Sequence, residues 1–481
     1  MATCFWYNLL CQKTTNYPKK AATMKLSRKQ VQRKSRTLPK VQFADHKLSS
    51  FSGLLLFQVL FDNLELRDRL RACFRHVKTE PAYDFALQFL ALIVHILLGY
   101  RKLRDVAFYR DDPMVLRVLG LRRFPDVATL SRTLSSMGAR TVEQLRELAR
   151  DLVLQRLTTL QLPRVTLDFD GSVLGTCRRA EGTAVGYNRR KKGQRSYYPL
   201  FCTVAQTGQV LDFLHRPGNV HDSNGAREFI RACVKAVRSA LPGAVIEARM
   251  DTAFFSDEIV GLLRDLGVEF TLSVPFERFW QLKEKIEQRK RWRHINAETA
   301  YFELRWKPKS WPRRCRFLVI RSRRATQRQG PLQLDLFIPQ VFGYEFKVIV
   351  TNKRISARHV TTYHEGRGAQ EAIFGELKSE GQMDYIPVKK LLGNQTFLLA
   401  VIFAHTLNRE LQMQVRPPQR RTTEKRAPVW AFERLSTLRR RLIQQAGRLT
   451  RPQGRLTLTL GRSPGIKKEF LSYLGQLQTA S

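Results

Sequence analysis

Acidic residues are the scarce charge in this chain. Only 41 Asp and Glu stand against 84 Lys and Arg in 481 residues, a formal net charge of +43. A folded chain with that excess repels itself unless a polyanion neutralises it. Nucleic acid is the expected partner, because every neutralised phosphate releases counterions. An acidic membrane surface is the other polyanion, but a long clean apolar run is also lacking. The most apolar stretch, residues 83–99 (YDFALQFLALIVHILLG), contains Asp84, Gln88 and His95. It falls short of the ~18 apolar residues a spanning helix needs and reads as a buried helix, so no membrane partner is expected. The opening MATCFWYNLLCQKTTNYPKK sets its positive charge after its apolar part, the reverse of a secretory leader. Met24 is an alternative start.

Cysteine pairs are missing too. The seven cysteines, Cys4, Cys11, Cys73, Cys177, Cys202, Cys233 and Cys315, form no C-x-x-C and are odd in number. This excludes a zinc ribbon and points to reduced thiols in a cytoplasmic, nucleoid-associated protein. There is no internal repeat. Hydrophobic residues at 43% suffice for packed cores, and the length suits two or three domains of roughly 100–200 residues each.

Residues 1–45 are basic and aperiodic, a flexible arm suited to phosphates or simply a solvated tail. Residues 46–160 carry Leu and Phe at helical spacing and read as a helical DNA-binding domain. Within it, residues 113–137 have the form helix, turn, helix. Asp126 caps the second helix, with Thr129, Ser131, Arg132 and Thr133 on its polar positions. Any αα-hairpin shares that pattern. From residue 164 the texture changes to three strands followed by alternating helices and strands. This order suits an α/β, ribonuclease-H-like catalytic core over residues 161–275 and 346–412. A β-rich insertion at 276–345 interrupts it, and a basic, helical C-terminal region spans 413–481.

The chemistry rests on carboxylates placed by periodicity. In VTLDFD (165–170), Val165, Leu167 and Phe169 face one way, while Thr166, Asp168 and Asp170 face the other. AVIEARMD (244–251) runs as a strand into Asp251. In YHEGRGAQEAIFGELK (363–378), a helix advancing roughly 100° per residue places Arg367, Glu371 and Lys378 within an arc of roughly 40°. Glu376 lies nearly opposite, so Glu376→Gln is expected to be mild. An ordinary surface ion pair would give the same helical pattern. Clustered carboxylates on two strands and a helix are what a hard divalent cation requires. Two such ions can activate a nucleophilic oxygen and stabilise the leaving oxygen at phosphorus.

These residues resemble a known family, the DDE transposases of prokaryotic insertion sequences of the "transposase DDE domain group 1" type, cut-and-paste enzymes with an inserted β domain. The resemblance spans roughly residues 40–460. Its most specific part is Y-x-x-x-R-G-x-x-E-x-x-x-x-E-x-K at 363–378, with the Tyr-to-Arg spacing one residue longer than the family's tyrosine–arginine–glutamate–lysine signature. LDFDGS (167–172), GYN (186–188), SYYPL (196–200), TGQVLDFLHRPGN (207–219) and RMDTAFFS (249–256) also match. It implies Asp170, Asp251 and Glu371 as catalytic metal ligands, with Asp168 an alternative or supporting carboxylate. It implies Mg²⁺ or Mn²⁺, two ions, and Tyr363, Arg367 and Lys378 on DNA. The partners implied are double-stranded terminal inverted repeats and target DNA, bound by a homodimer in a synaptic complex.

Further DNA contacts are expected from Arg189, Arg190, Lys191 and Lys192 in NRRKKGQR (188–195), which a plain solvated loop would also explain. Trp292 and Trp306 are the candidates among the insertion's tryptophans, since aromatics interleaved with cations suit stacking on an unpaired base. The same rings would equally fill a small core. Alternative functions are a nuclease on the same fold that only hydrolyses, or a sequence-specific DNA-binding protein with an idle acidic triad.

Overall fold

The helical half of the chain forms as its caps and periodicity dictate. In the computed structural model it comprises α1 (Leu54–Asn63), α2 (Leu66–Phe74), α3 (Phe85–Leu98), α4 (Pro113–Leu119), α5 (Val127–Ser135) and α6 (Ala139–Leu160). The structure describes residues 38–77, 83–186, 188, 191–220, 224–323 and 344–479, with positions 28, 29, 32 and 36. The apolar stretch becomes α3 because both ends are capped. Asp84 accepts the Ala86 amide at 2.9 Å, and Gly99 leaves the helix at φ 93°, a conformation glycine adopts without penalty. Asp126 caps α5 as expected, accepting the Thr129 amide at 2.6 Å. Thr133 on that helix is buried and donates to Gln88 at 2.6 Å, so this part of the polar face is internal; Arg132 is exposed.

Most of the remaining strands build one nine-stranded mixed sheet. Its strands are β1 (Arg164–Gly171), β2 (Leu200–Val204), β3 (Gln209–Leu214), β4 (Val245–Met250) and β5 (Glu269–Ser273). They continue with β6 (Arg293–His294), β7 (Thr299–Trp306), β8 (Cys315–Arg323) and β9 (Tyr344–Thr351). The spatial order is β6-β7-β8-β9-β5-β4-β1-β2-β3. β2 runs antiparallel to both β1 and β3; β1, β4 and β5 run parallel. The β2–β3 turn lies at Thr207–Gly208, where Gly208 has φ 60°.

Residues of the expected insertion supply β6, β7 and β8, and these lengthen the core sheet: β9 pairs antiparallel with β5, Ile349 opposite Ser273. The edge of β5 thus finds hydrogen-bond partners instead of facing solvent.

Two layers of helices follow from β1's alternation. Val165, Leu167 and Phe169 pack with α7 (Ala226–Ala240) and α8 (Asp257–Asp265) in one apolar core. The opposite face of β1 meets α10 (Ala357–Glu365) and α11 (Gly368–Ser379), α9 being Trp280–Glu287 beside the outer strands. Behind them runs α12 (Leu391–Val415), buried over nearly its whole length against α3, α5 and α6. Among the described residues no helix is long and apolar enough to cross a membrane.

The C-terminal region is less helical than its sequence pattern predicts. After a short helical turn at Leu435–Leu438 come strands Gly447–Thr450 and Thr457–Leu460, paired with Leu48–Ser49, and then α13 (Pro464–Thr479). Met1–Asp45 and His46–Ser481 are separate units. In the first, residues 38–45 hold no helix or strand and expose Leu38, Val41 and Phe43.

Candidate active site

Two carboxylates end neighbouring parallel strands. Phe169 of β1 lies opposite Met250 of β4, and the next residues are Asp170 and Asp251. Asp170 accepts the Gly171 amide at 2.8 Å and Arg367 Nη1 at 3.0 Å. Asp251 turns the chain into the short helical turn Thr252–Phe254 by accepting the Ala253 amide at 3.0 Å.

Glu371 stands apart from this pair. It lies exposed in the first turn of α11, with no hydrogen bond or ion pair among the described residues. Its neighbour Gln370 is buried and donates Nε2 to the Asp168 carbonyl at 3.0 Å, which ties α11 to β1. Among the described residues no group of three or more His, Cys, Asp or Glu side chains is near enough to hold a metal ion together. The structure therefore pairs Arg367 with Asp170, sets Asp251 at the end of the neighbouring strand, and gives Glu371 no polar partner among the described residues. Carboxylates repel one another, and here the Arg367 guanidinium supplies the countercharge to Asp170. The all-oxygen donor set of Asp170 and Asp251 fits a hard divalent cation.

Beneath this surface lies a buried layer of paired charges. Asp168, an expected alternative ligand, has both carboxylate oxygens taken by Arg249, at 2.5 and 2.7 Å. Of the two roles expected for it, alternative ligand or supporting carboxylate, this occupancy favours the support. Arg249 Nη1 also donates to the carbonyls of Tyr363 (2.9 Å) and Lys425 (2.7 Å). Glu247, on the same face of β4, accepts from Thr166 (2.7 Å), Lys353 (2.6 Å) and Arg426 (2.8 Å).

Burial alone would raise the Glu247 carboxyl, but Arg426, Lys353 and Thr166 outweigh it and bring it from 4.5 down to about 2. A carboxylate depressed by folding contributes stability above its unfolded value. That contribution is lost as pH falls from 4.5 to about 2 and amounts to about 3 kcal/mol. Denaturation curves taken through that window are expected to show the loss in wild type and to lack it in Glu247→Gln.

Tyr363 is corrected as a DNA contact. It is only 2% exposed. Its ring packs on Lys353 Nζ at 4.3 Å and Arg249 at 5.2 Å, measured to the ring centre. A ring stacked on buried cations cannot reach a phosphodiester. His364, the next residue, is held by Ser273 (2.8 Å) and Thr271 (2.9 Å). Glu376, which faces away from Glu371, is buried and paired with Arg409 at 2.5 Å.

Trp306 is also corrected: it is buried against Phe279 and Phe317. Trp292 is half-buried against Phe302, with Arg321 stacked on its ring at 4.5 Å. Among the described residues the exposed tryptophan is Trp280. Lys191 and Lys192 are exposed and Lys378 is half-buried; Arg189 and Arg190 lie outside the described residues. Sequence reasoning passed over Arg249, although the alternation Glu247, Arg249, Asp251 sets it on the face that carries the carboxylates.

Acidic residues at adjacent strand ends of a mixed α/β sheet, with an arginine from a following helix, define a class of proteins built around a carboxylate centre. The chain belongs to the transposase DDE domain group 1 family, whose model matches residues 31–481. Among solved structures it is similar to the piggyBac transposase synaptic complex with hairpin DNA. That likeness is 12% identical, with a TM-score of 0.40, and covers 82% of this chain and 79% of that one. It is also similar to a Mos1 transposase paired-end complex with left transposon end, 11% identical with a TM-score of 0.17, covering 41% of this chain and 60% of that one. No curated protein matches the chain significantly.

Proposed function

We propose that this protein is a DNA transposase on a ribonuclease-H-like core. It binds the terminal inverted repeats of its element, cleaves DNA strands and joins the 3′-hydroxyl ends to target DNA. The observation that carries the reading is the placement of Asp170 and Asp251 at the ends of adjacent parallel strands, with Arg367 on Asp170, in a family-matched chain of charge +43.

Asp170, Asp251 and Glu371 would hold Mg²⁺ or Mn²⁺. Bound there, two such ions activate the attacking oxygen and stabilise the leaving oxygen at phosphorus. Arg367 would exchange its carboxylate partner for a backbone phosphate. Arg132, Lys191, Lys192 and Lys378 supply further positive charge along the duplex, and a homodimer would hold two ends together.

Labelled end DNA incubated with protein and Mg²⁺ or Mn²⁺ tests this. Wild type is expected to give cleaved ends and joined products, while Asp170→Asn and Asp251→Asn give neither. Cleavage without joining would replace transposition with simple hydrolysis. End binding without cleavage under either metal would leave a DNA-binding protein.

Affinity for end DNA is expected to fall by about 10³ or more between 50 and 200 mM salt, as six to ten phosphate contacts require. A flat salt response in a filter-binding or anisotropy titration would overturn the DNA reading.

A further inference from the structure

The junction between α10 and α11 holds a glycine whose backbone needs no glycine. Gly366 has φ −59° and ψ −17°, an ordinary helical conformation. What excludes a side chain is space. A Cβ there would stand 1.9 Å from the Lys425 carbonyl oxygen and 2.1 Å from Arg249 Nη1. No real contact is that short, so the bare backbone is what lets three segments meet. They are the helix junction, β4 through Arg249, and the C-terminal segment 423–426.

Each of the three is fixed from behind. Arg249 is fully buried and gripped through both oxygens of Asp168. Its Nη1 donates to the carbonyls of both Tyr363, at the end of α10, and Lys425. The C-terminal segment is anchored one residue on, where Arg426 adopts φ 52° and donates to Glu247 at 2.8 and 3.1 Å. Further along, the Val429 amide donates to the Gln206 carbonyl at 2.9 Å.

Apart from the C-terminal segment, each member of this joint lies within two residues of a candidate site residue. Asp168 precedes Asp170 by two positions on β1, and Arg249 precedes Asp251 by two at the end of β4. Gly366 directly precedes Arg367 and lies in the turn before Glu371. A shift at the joint is therefore passed to all four with no flexible segment between.

We propose that Arg249 and Gly366, closed by the C-terminal segment 423–426, are positioning elements that set where Arg367 and Glu371 stand relative to Asp170 and Asp251. The inference rests on the transposase reading for the reaction it serves. It assigns part of the C-terminal region to the frame of the carboxylate centre, apart from any contact with DNA.

Gly366→Ala is the sharpest test, because it leaves every buried charge paired and puts a better helix former into helical backbone. Were the three segments not packed this closely, the variant would match wild type or be more stable. Arg249→Lys is the companion: it keeps the charge beside Asp168 but loses the planar fork that reaches both carbonyls.

Two measurements decide the matter. Cleavage of end DNA is titrated with Mn²⁺ and Mg²⁺; each variant is expected to need about 10–100-fold more metal, or to cleave that much more slowly, as supporting residues around metal ligands do elsewhere. End binding is expected to stay within about twofold. Separately, without DNA or metal, hydrogen exchange in segments 363–372 and 423–430 is expected to speed up about tenfold in both variants, with β1 and β4 unchanged.

Unchanged exchange and an unchanged metal response overturn the proposal. Faster exchange with an unaltered metal response also overturns it, since the joint would then pack without positioning. If wild type cleaves no end DNA under either metal, the transposase reading fails. The exchange comparison then judges the joint alone, equal rates overturning it and faster rates in the variants supporting it.

Discussion

Glu371→Gln is expected to remove metal-dependent end cleavage by on the order of a thousandfold, corresponding to several kcal/mol of lost transition-state stabilisation. End binding and folding stability are expected to be kept. The structure separates these effects because Glu371 is exposed and makes no hydrogen bond or ion pair among the described residues. The amide is nearly isosteric, so stability should change by no more than about 0.5 kcal/mol. Part of even that is the loss of a negative charge from the first turn of α11, where the helix dipole favours it. Gln370 keeps the helix on β1 through the Asp168 carbonyl in wild type and variant alike. The measurement is a single-turnover cleavage assay beside an anisotropy titration and a denaturation curve. Cleavage by the variant at the wild-type rate would remove Glu371 from the centre and leave Asp170 and Asp251 without a helical third partner.

What could be read from the chain follows from which signals are local. β1 was legible because alternation over VTLDFD is a backbone-period argument, and one face of that strand does pack with α7 and α8. The cap at Asp126 was legible for the same reason, since capping involves residues three positions apart. The opposed orientations of Glu371 and Glu376 follow from helical phase, and the structure buries the second while exposing the first. The partners of that second face were not legible. Arg249 meets Tyr363 and Lys425 across separations of 114 and 176 residues, and no period links them. A tyrosine in a phosphate-binding signature reads as a surface residue until the cations that cover it are known. The same holds for the tryptophans. Composition could show that aromatics and cations are interleaved from residue 280 to 314, but only the pairing of β7 with β8 decides that Trp306 turns inward.

Removing one partner of the Glu376–Arg409 pair is expected to cost about 3–5 kcal/mol of stability while sparing the chemistry of each folded molecule. The mild effect of Glu376→Gln on cleavage, expected from helical phase, is kept; the cost falls on stability. Phase located Glu376 correctly, away from Glu371, but said nothing of what it meets. Arg409 Nη2 lies 2.5 Å from its Oε2, both side chains are 7% exposed, and the Leu435 amide donates to Oε1 at 3.1 Å. In Glu376→Gln the Arg409 guanidinium stays in the interior with an amide in place of its counter-ion, stacked on Phe432 at 4.4 Å from the ring centre. Arg409→Met leaves the carboxylate behind with the Leu435 amide and with His405, whose Nε2 is 3.9 Å away. Each single variant should therefore unfold at clearly lower denaturant. Replacing both, as Glu376→Gln with Arg409→Met, removes the stranded charge. It should recover most of the loss, short of about 1–3 kcal/mol if the Leu435 amide is left unsatisfied. Additive losses in the double variant would mean that the two side chains act independently. Cleavage normalised to folded protein, measured well below the midpoint of unfolding, should stay near wild type in all three. A loss there comparable to that of Glu371→Gln would show that α11 carries chemistry on both of its faces.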